Sequence, residues 1–290
     1  MQFLAYIIAY PLLWLISILP FRIFYWISDL VYFVVYYIIG YRKKTVKYNL
    51  KIALPELSDE ERLEIEKKFY HHFCDLFMEM VKTMSISAEE MQERFKITNL
   101  ELLEEYEAKN RSIMVLASHY ASWEWLIAIN LKSSYQGVGV YKKIANRYFD
   151  KLVKDIRSEF KTELVSTDKT IPLMANNQRK GILSLYGLVS DQSPKTKQIA
   201  HWENFMGMET PVHIGPELLS KKYNLNVVFA KVTKVKRGYY EATLVPITDD
   251  PKSLPNYEII HRYIKEVEKQ IYEAPEYYFW THKRWKHHKN

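Results

Sequence analysis

His119 and Glu124 stand five residues apart in the stretch His-Tyr-Ala-Ser-Trp-Glu. The apolar run Ile-Met-Val-Leu-Ala-Ser precedes it and Trp-Leu-Ile-Ala-Ile follows it. An imidazole and a carboxylate therefore fall where a buried strand hands over to a helix, a common place for chemistry in α/β proteins. Histidine takes a proton near neutral pH without an extreme pKa shift, which makes His119 the candidate general base. Glu124 is the expected partner of its other ring nitrogen, fixing the tautomer and stabilising the imidazolium. A spacing of five does not share a helix face. The pairing requires His119 in the loop and Glu124 in the first helical turn, whose free amides could help hold an oxyanion. The competing reading is a surface histidine near a carboxylate that favours a helix N-terminus anyway.

The surrounding pattern alternates strands and helices. Ser58 to Thr83 reads as a helix opened by a capping box, Ser58 with Glu61, and Phe69, Phe73, Phe77 and Met80 recur at helical spacing. Ser87–Phe95 and Leu100–Ala108 are short helical candidates. Ile113–Ala117 is a buried strand, Trp123–Asn130 a helix, Gln136–Tyr141 a strand and Ala145–Phe160 a charged helix. Glu163–Ser166 and Gly181–Leu188 read as strands around a helix at Ile171–Gln178, and Ser190–His201 as a polar loop. Pro211–Lys222 is helical. Asn226–Lys234 and Tyr239–Pro246 pair as a hairpin around Arg237 and Gly238, and Tyr257–Glu273 closes as an amphipathic helix. The expected fold is a single α/β domain with a central mixed sheet flanked by helices, preceded by an N-terminal hydrophobic helical membrane anchor. The expected division is an anchoring arm at 1–45 and a catalytic domain at 46–290.

The arm rests on composition. Met1–Phe21 carries no charged side chain, and Ile23–Gly40 carries only Asp29. Each run approaches the length of a hydrocarbon span, although Pro11, Pro20 and Asp29 weaken a simple crossing. No basic start or small-residue cleavage site marks a signal peptide. The basic segment Tyr41–Lys51 that follows suits a cytoplasmic headgroup layer.

With 41 Lys plus Arg against 34 Asp plus Glu, the net charge of +7 favours an anionic partner. The 23 Tyr and 7 Trp suit interfaces. Cys74 is the one cysteine, so no intrachain disulfide forms. No Cys–His cluster has zinc spacing and no glycine-rich phosphate loop or dinucleotide fingerprint occurs, so neither a metal nor a cofactor is expected. The aromatics concentrate at the two ends of the chain instead of in an RNA-binding motif, which argues against nucleic acid.

Several blocks together carry a family resemblance. His119 and Glu124 match a His-x4-Asp/Glu motif. Tyr41–Leu50 resembles a basic segment after a membrane anchor. Asn146, Asp150 and Arg157 match an Asn-x3-Asp…Arg block, and Asp191 with Gln192 an Asp-Gln pair. Phe205–Pro211 with Glu217, and the tail Pro275–Lys286, complete the order. Nearly the whole chain is covered, and it resembles the late acyltransferases of lipid A biosynthesis, within the lysophospholipid acyltransferase group. The resemblance implies a glycerolipid-acyltransferase-like fold. It implies a histidine that deprotonates an acceptor hydroxyl, which then attacks an acyl thioester, usually on acyl carrier protein, without a covalent acyl-enzyme. Asn146, Asp150, Arg157, Asp191 and Gln192 become expected substrate-binding residues.

Lys142 and Lys143 stand where the family usually has an Arg-Pro pair. Lysine keeps the charge without the bidentate fork. With Arg147 they join Arg157 as expected contacts to an anionic headgroup or phosphopantetheine. The expected reaction is transfer of a fatty acyl chain to a hydroxyl of a lipid A precursor, at the cytoplasmic face of a bacterial inner membrane. Another lysolipid or amino-acid-linked lipid as acceptor, or a membrane-associated hydrolase or thioesterase, are the alternatives.

Overall fold

Apolar runs rich in Val, Ile and Leu build the middle of the sheet, because strands buried on both faces carry no polar alternation. The computed structural model describes residues 2–288; the expected division at 1–45 and 46–290 also takes in Met1, Lys289 and Asn290, which lie outside them. The chain begins with α1 (Gln2–Ser17), α2 (Phe21–Phe33, prolonged by a π-helical turn Val34–Ile39), α3 (Lys43–Ala53), α4 (Asp59–Lys82) and α5 (Ala88–Arg94). It continues through β1 (Phe95–Ile97), α6 (Glu101–Ala108), β2 (Ile113–Ala117), a 3-10 helix Trp123–Leu131, β3 (Gln136–Tyr141) and α7 (Arg147–Arg157). Next come β4 (Thr162–Ser166), α8 (Thr170–Arg179), β5 (Ser184–Val189), β6 (His201–Phe205), β7 (Met208–Val212) and α9 (Gly215–Tyr223). The hairpin β8 (Asn226–Lys236) and β9 (Tyr239–Thr248) and the helix α10 (Glu258–Glu273) complete the fold before the tail.

Seven strands form one mixed sheet in the order β1-β9-β8-β2-β5-β3-β4, and β6 and β7 form a separate ribbon. β2 pairs in parallel with both β5 and β8, whereas β8 and β9 are antiparallel. All five residues of β2 are buried. This is the expected α/β architecture. The capping box is present: Ser58 Oγ accepts from the Glu61 amide at 3.2 Å, and Glu61 Oε2 accepts from the Ser58 amide at 2.7 Å.

The arm does not stand free of the domain. Phe21–Ile39 is 19 residues long and apolar enough to cross a membrane by length and composition. Along it Ile23, Trp26, Leu30, Phe33, Ile38 and Ile39 are exposed. The opposite face is polar and docked. Ser28 Oγ donates to Asp75 at 2.7 Å, Tyr25 Oη to Glu79 at 2.8 Å, and the Arg237 guanidinium reaches Asp29 at 2.5 Å and Asp75 at 2.6 Å. Gly238, at φ +74°, forms the β8–β9 turn, and a side chain there would collide with the Tyr25 hydroxyl. Asp29, His71 and Asp75 are close enough to share a cation, and Arg237 supplies it. Lys82 ties down the end of α1 by donating to the carbonyls of Ser17 and Leu19 at 2.7 and 2.8 Å.

Three expectations on local structure change. The segment after Ser122 is a 3-10 helix, not an α-helix; its apolar sequence does not distinguish the two hydrogen-bond patterns. The polar loop runs on into a ribbon, β6–β7, turned by Met206 and Gly207 at φ 53° and 77°. Phe95, expected at a helix end, begins the edge strand β1, paired to β9.

Candidate active site

β2 and β5 run side by side in parallel, with Ala117 in register with Val189. Their C-terminal ends therefore release two loops next to each other, one carrying His119 and the other Asp191. His119 Nδ1 lies 2.6 Å from Asp191 Oδ1, and the His119 amide donates to the same oxygen at 3.1 Å. The Asp191 side chain is 1 % exposed and that of His119 20 %, so the carboxylate is sealed beneath a ring that stays reachable. Burial alone would raise the Asp191 pKa, but the charge and hydrogen bonds of His119 outweigh it and hold the carboxyl below its usual value. With Nδ1 directed at a carboxylate, the neutral ring presents a bare Nε2, the form a general base needs.

The expected His119–Glu124 hydrogen bond is replaced by this one. Glu124 instead takes Arg157 in a two-point contact, Nε to Oε2 at 2.7 Å and Nη2 to Oε1 at 2.5 Å. The 3-10 turn aims the carboxylate at the end of α7, where Arg157 is the last residue. Burial works against the guanidinium charge, yet Glu124 outweighs it and raises the Arg157 pKa. Glu124 reaches His119 through a ring: the Trp123 indole donates to Glu124 Oε1 at 3.1 Å, and the indole and imidazole pack edge-to-face with centroids 5.2 Å apart. Phe279 flanks the same imidazole at 5.9 Å.

The remaining expected residues divide. Asn146 is the N-cap of α7, its Oδ1 accepting from the amides of Tyr148 at 3.0 Å and Phe149 at 3.4 Å. It therefore stands just before the helix that carries Asp150 and Arg157. Asp150 accepts from the Ile144 amide at 2.8 Å and folds back the loop that holds Lys142 and Lys143. Lys142, Lys143 and Arg147 are exposed; Lys143 is 3.8 Å from Asp168, and Arg147 donates to the Tyr148 hydroxyl at 2.6 Å. Gln192 is half-buried beside Asp191. Glu217 holds the start of α10, accepting from the amides of Tyr257 and Ile260.

The C-terminal tail buttresses both loops. The Phe279 amide donates to the His119 carbonyl at 3.0 Å, and the Ala121 amide to the Tyr277 carbonyl at 3.0 Å, where Ala121 takes a left-handed φ of 48°. The buried Arg284 donates to Ser193 Oγ at 3.3 Å and to the Pro211 carbonyl at 3.0 Å. Trp280 and Trp285 are fully buried and stack at 5.9 Å, with Phe205 on Trp285 at 5.5 Å. Truncating either tryptophan costs about 3–5 kcal/mol. Phe279, His282 and Arg284 were not among the expected site residues. The aromatic-basic run Pro275–Lys286, the closing block of the resemblance, is the signal that points to them.

Comparison with known proteins gives the chain a family. The profile of a family described as bacterial lipid A biosynthesis acyltransferase matches residues 2–287. The chain is 24 % identical to the lipid A biosynthesis lauroyltransferase of Escherichia coli K12 over 276 residues, 94 % of this chain and 89 % of that protein. It is 23 % identical to lipid A biosynthesis acyltransferase 2 of Shigella flexneri over 241 residues, 83 % of this chain and 76 % of the relative.

Proposed function

The chain belongs to the bacterial lipid A biosynthesis acyltransferase family and is an acyltransferase; from that premise we propose that His119 and Asp191 move a fatty acyl chain from an acyl carrier protein thioester to a hydroxyl of a lipid A precursor. The observation that carries this reading is the 2.6 Å contact between His119 Nδ1 and the buried Asp191. It leaves Nε2 to take the proton of the acceptor hydroxyl. The oxygen bonds to the thioester carbonyl carbon, the carbon–sulfur bond breaks, and the imidazolium returns the proton to the departing thiolate. Asp191 stabilises the imidazolium throughout. Arg157, held by Glu124 yet with its side chain 29 % exposed, offers its remaining N–H groups to an anionic part of either substrate. Lys142, Lys143 and Arg147 extend that positive edge, and a basic surface suits the acidic face of acyl carrier protein.

On this reading the arm at 1–45 anchors the site at the membrane. Its exposed apolar face meets lipid, and the basic start of α3 meets anionic headgroups on the cytoplasmic side. Protection of the domain from protease added outside intact spheroplasts supports that side; digestion there reverses it. Mass spectrometry of lipid A from a deletion strain and its complemented control tests the acceptor. One acyl chain is absent from the deletion strain and restored by the wild-type gene. Unchanged lipid A with loss of another acylated lipid contradicts the acceptor, and thioester hydrolysis without transfer contradicts the reaction.

A further inference from the structure

A second imidazole, His282, lies beside the loop that carries Asp191. The His282 carbonyl accepts from Asn49 Nδ2 at 2.7 Å, which anchors the tail to α3, and its ring Nε2 lies 3.3 Å from the amide nitrogen of Ser193. A backbone amide only donates, so Nε2 must present its lone pair and the neutral ring carries its proton on Nδ1. The ring is half-buried, and among the described residues no protein group takes that Nδ1 proton. Ser193 is two residues beyond Asp191, and Phe279, three residues before His282, is bonded to the His119 carbonyl. His282 is thus tied to the loop that carries Asp191, and its own segment to the loop that carries His119.

The surroundings keep this ring uncharged. Burial lowers its pKa to about 4, with His119, Arg284 and Lys286 acting in the same direction and Asp191 against it. A neutral donor is what the reaction requires here. An imidazolium would repel the charge that His119 gains when it takes the hydroxyl proton.

We propose that His282 is a further catalytic residue, whose Nδ1–H donates a hydrogen bond to the thioester carbonyl oxygen as it becomes an oxyanion. This rests on the acyl-transfer reading. As the acceptor oxygen bonds to the carbonyl carbon, its proton passes to His119 and the carbonyl π pair moves onto the oxygen facing His282. The pair returns when the carbon–sulfur bond breaks, and the thiolate leaves with the proton from His119. His282 neither gains nor loses a proton over the cycle.

Two near-isosteric variants separate this role from mere support of the Ser193 loop. The asparagine of His282→Asn places an amide N–H near the Nδ1 position. The glutamine of His282→Gln places a carbonyl oxygen near Nε2, where it still accepts from Ser193. Transfer is measured with a purified acyl thioester and lipid A precursor, with unfolding midpoints recorded for each protein. His282→Gln is expected to lose about 10²–10³-fold in kcat, the effect of deleting one oxyanion donor, with little change in KM. His282→Asn is expected to recover at least 10-fold of that loss. Equal losses in the two variants, a wild-type kcat in His282→Gln, or a change confined to KM overturns the proposal. Nitrogen-15 NMR of the wild-type rings is independent of variant folding: a proton on Nδ1 of His282 is expected between pH 6 and 8, and one on Nε2 overturns it. His119→Ala runs alongside. If it retains activity, the acyl-transfer mechanism itself fails; if it is inactive while His282→Gln is normal, only the role of His282 fails.

Discussion

His119 and Asp191 are 72 residues apart in sequence and 2.6 Å apart in space, because β2 and β5 end side by side. Asp191, not Glu124, is the carboxylate hydrogen-bonded to the His119 ring. Asp191→Asn keeps the shape but removes the charge and can favour the wrong tautomer. It is expected to lower kcat by about 10³–10⁴-fold while leaving the unfolding midpoint nearly unchanged. Steady-state transfer with a circular dichroism melt checks this.

Glu124→Gln is expected to do less to kcat than Asp191→Asn, about 10- to 100-fold, because it weakens the hold on Arg157 and Trp123 without touching the imidazole. Arg157→Lys keeps the charge and loses the fork, so it is expected to fall between wild type and Arg157→Ala. Separate titrations of donor and acceptor identify the substrate whose KM rises. No change in either would make the pair purely structural.

Much of this was legible in the sequence and some was not, for identifiable reasons. The strand before His119 and the hairpin at Arg237–Gly238 followed from apolar runs and turn residues. Asp191 is a candidate from the sequence, but its contact with His119 is not legible there, since sequence spacing reports neighbours along the chain and this contact depends on strand order. Glu124 looked like the partner of His119 for the same reason. Met206 takes a left-handed turn that its residue type does not advertise, so the β6–β7 ribbon was hidden. Asn146 and Asp150 matched a motif, and their hydrogen bonds shape the start of α7 and the loop before it.

The docking of the arm makes a stability prediction. Arg237 bridges Asp29 and the fully buried Asp75, so Arg237→Ala removes the two-point partner of a buried carboxylate and leaves it Ser28 and the more distant Lys234 at 3.8 Å. A loss of about 3–5 kcal/mol is expected in denaturant unfolding in detergent. Asp29→Asn, which removes only the partly exposed partner, is expected to cost about 1 kcal/mol or less. Equal effects would show that the lock is not centred on Asp75.

Glu79 makes stability fall with rising pH. It is buried between the hydroxyls of Tyr25 and Tyr240, each at 2.8 Å. Burial first, and then the Asp75 charge, push its pKa up to about 7 from the ordinary 4.5. The folded protein therefore keeps this proton over a range where the unfolded chain releases it. The stabilisation is complete below about pH 4.5 and is lost as pH climbs through about 7, a change on the order of 3 kcal/mol at most. Unfolding free energy measured from pH 5 to 8 is expected to decline in the wild type and to flatten in Glu79→Gln. An unchanged slope in that variant would assign the decline to another group.

The most direct measurement is single-turnover acyl transfer by wild-type protein and His119→Ala, using a purified acyl carrier protein thioester and a lipid A precursor, with product identified by mass spectrometry. The wild type is expected to add one ester-linked acyl chain to the precursor and release free thiol in equal amount, while a folded His119→Ala protein does neither above background. Normal transfer by His119→Ala, or thiol release by the wild type with no acylated precursor, would contradict the account.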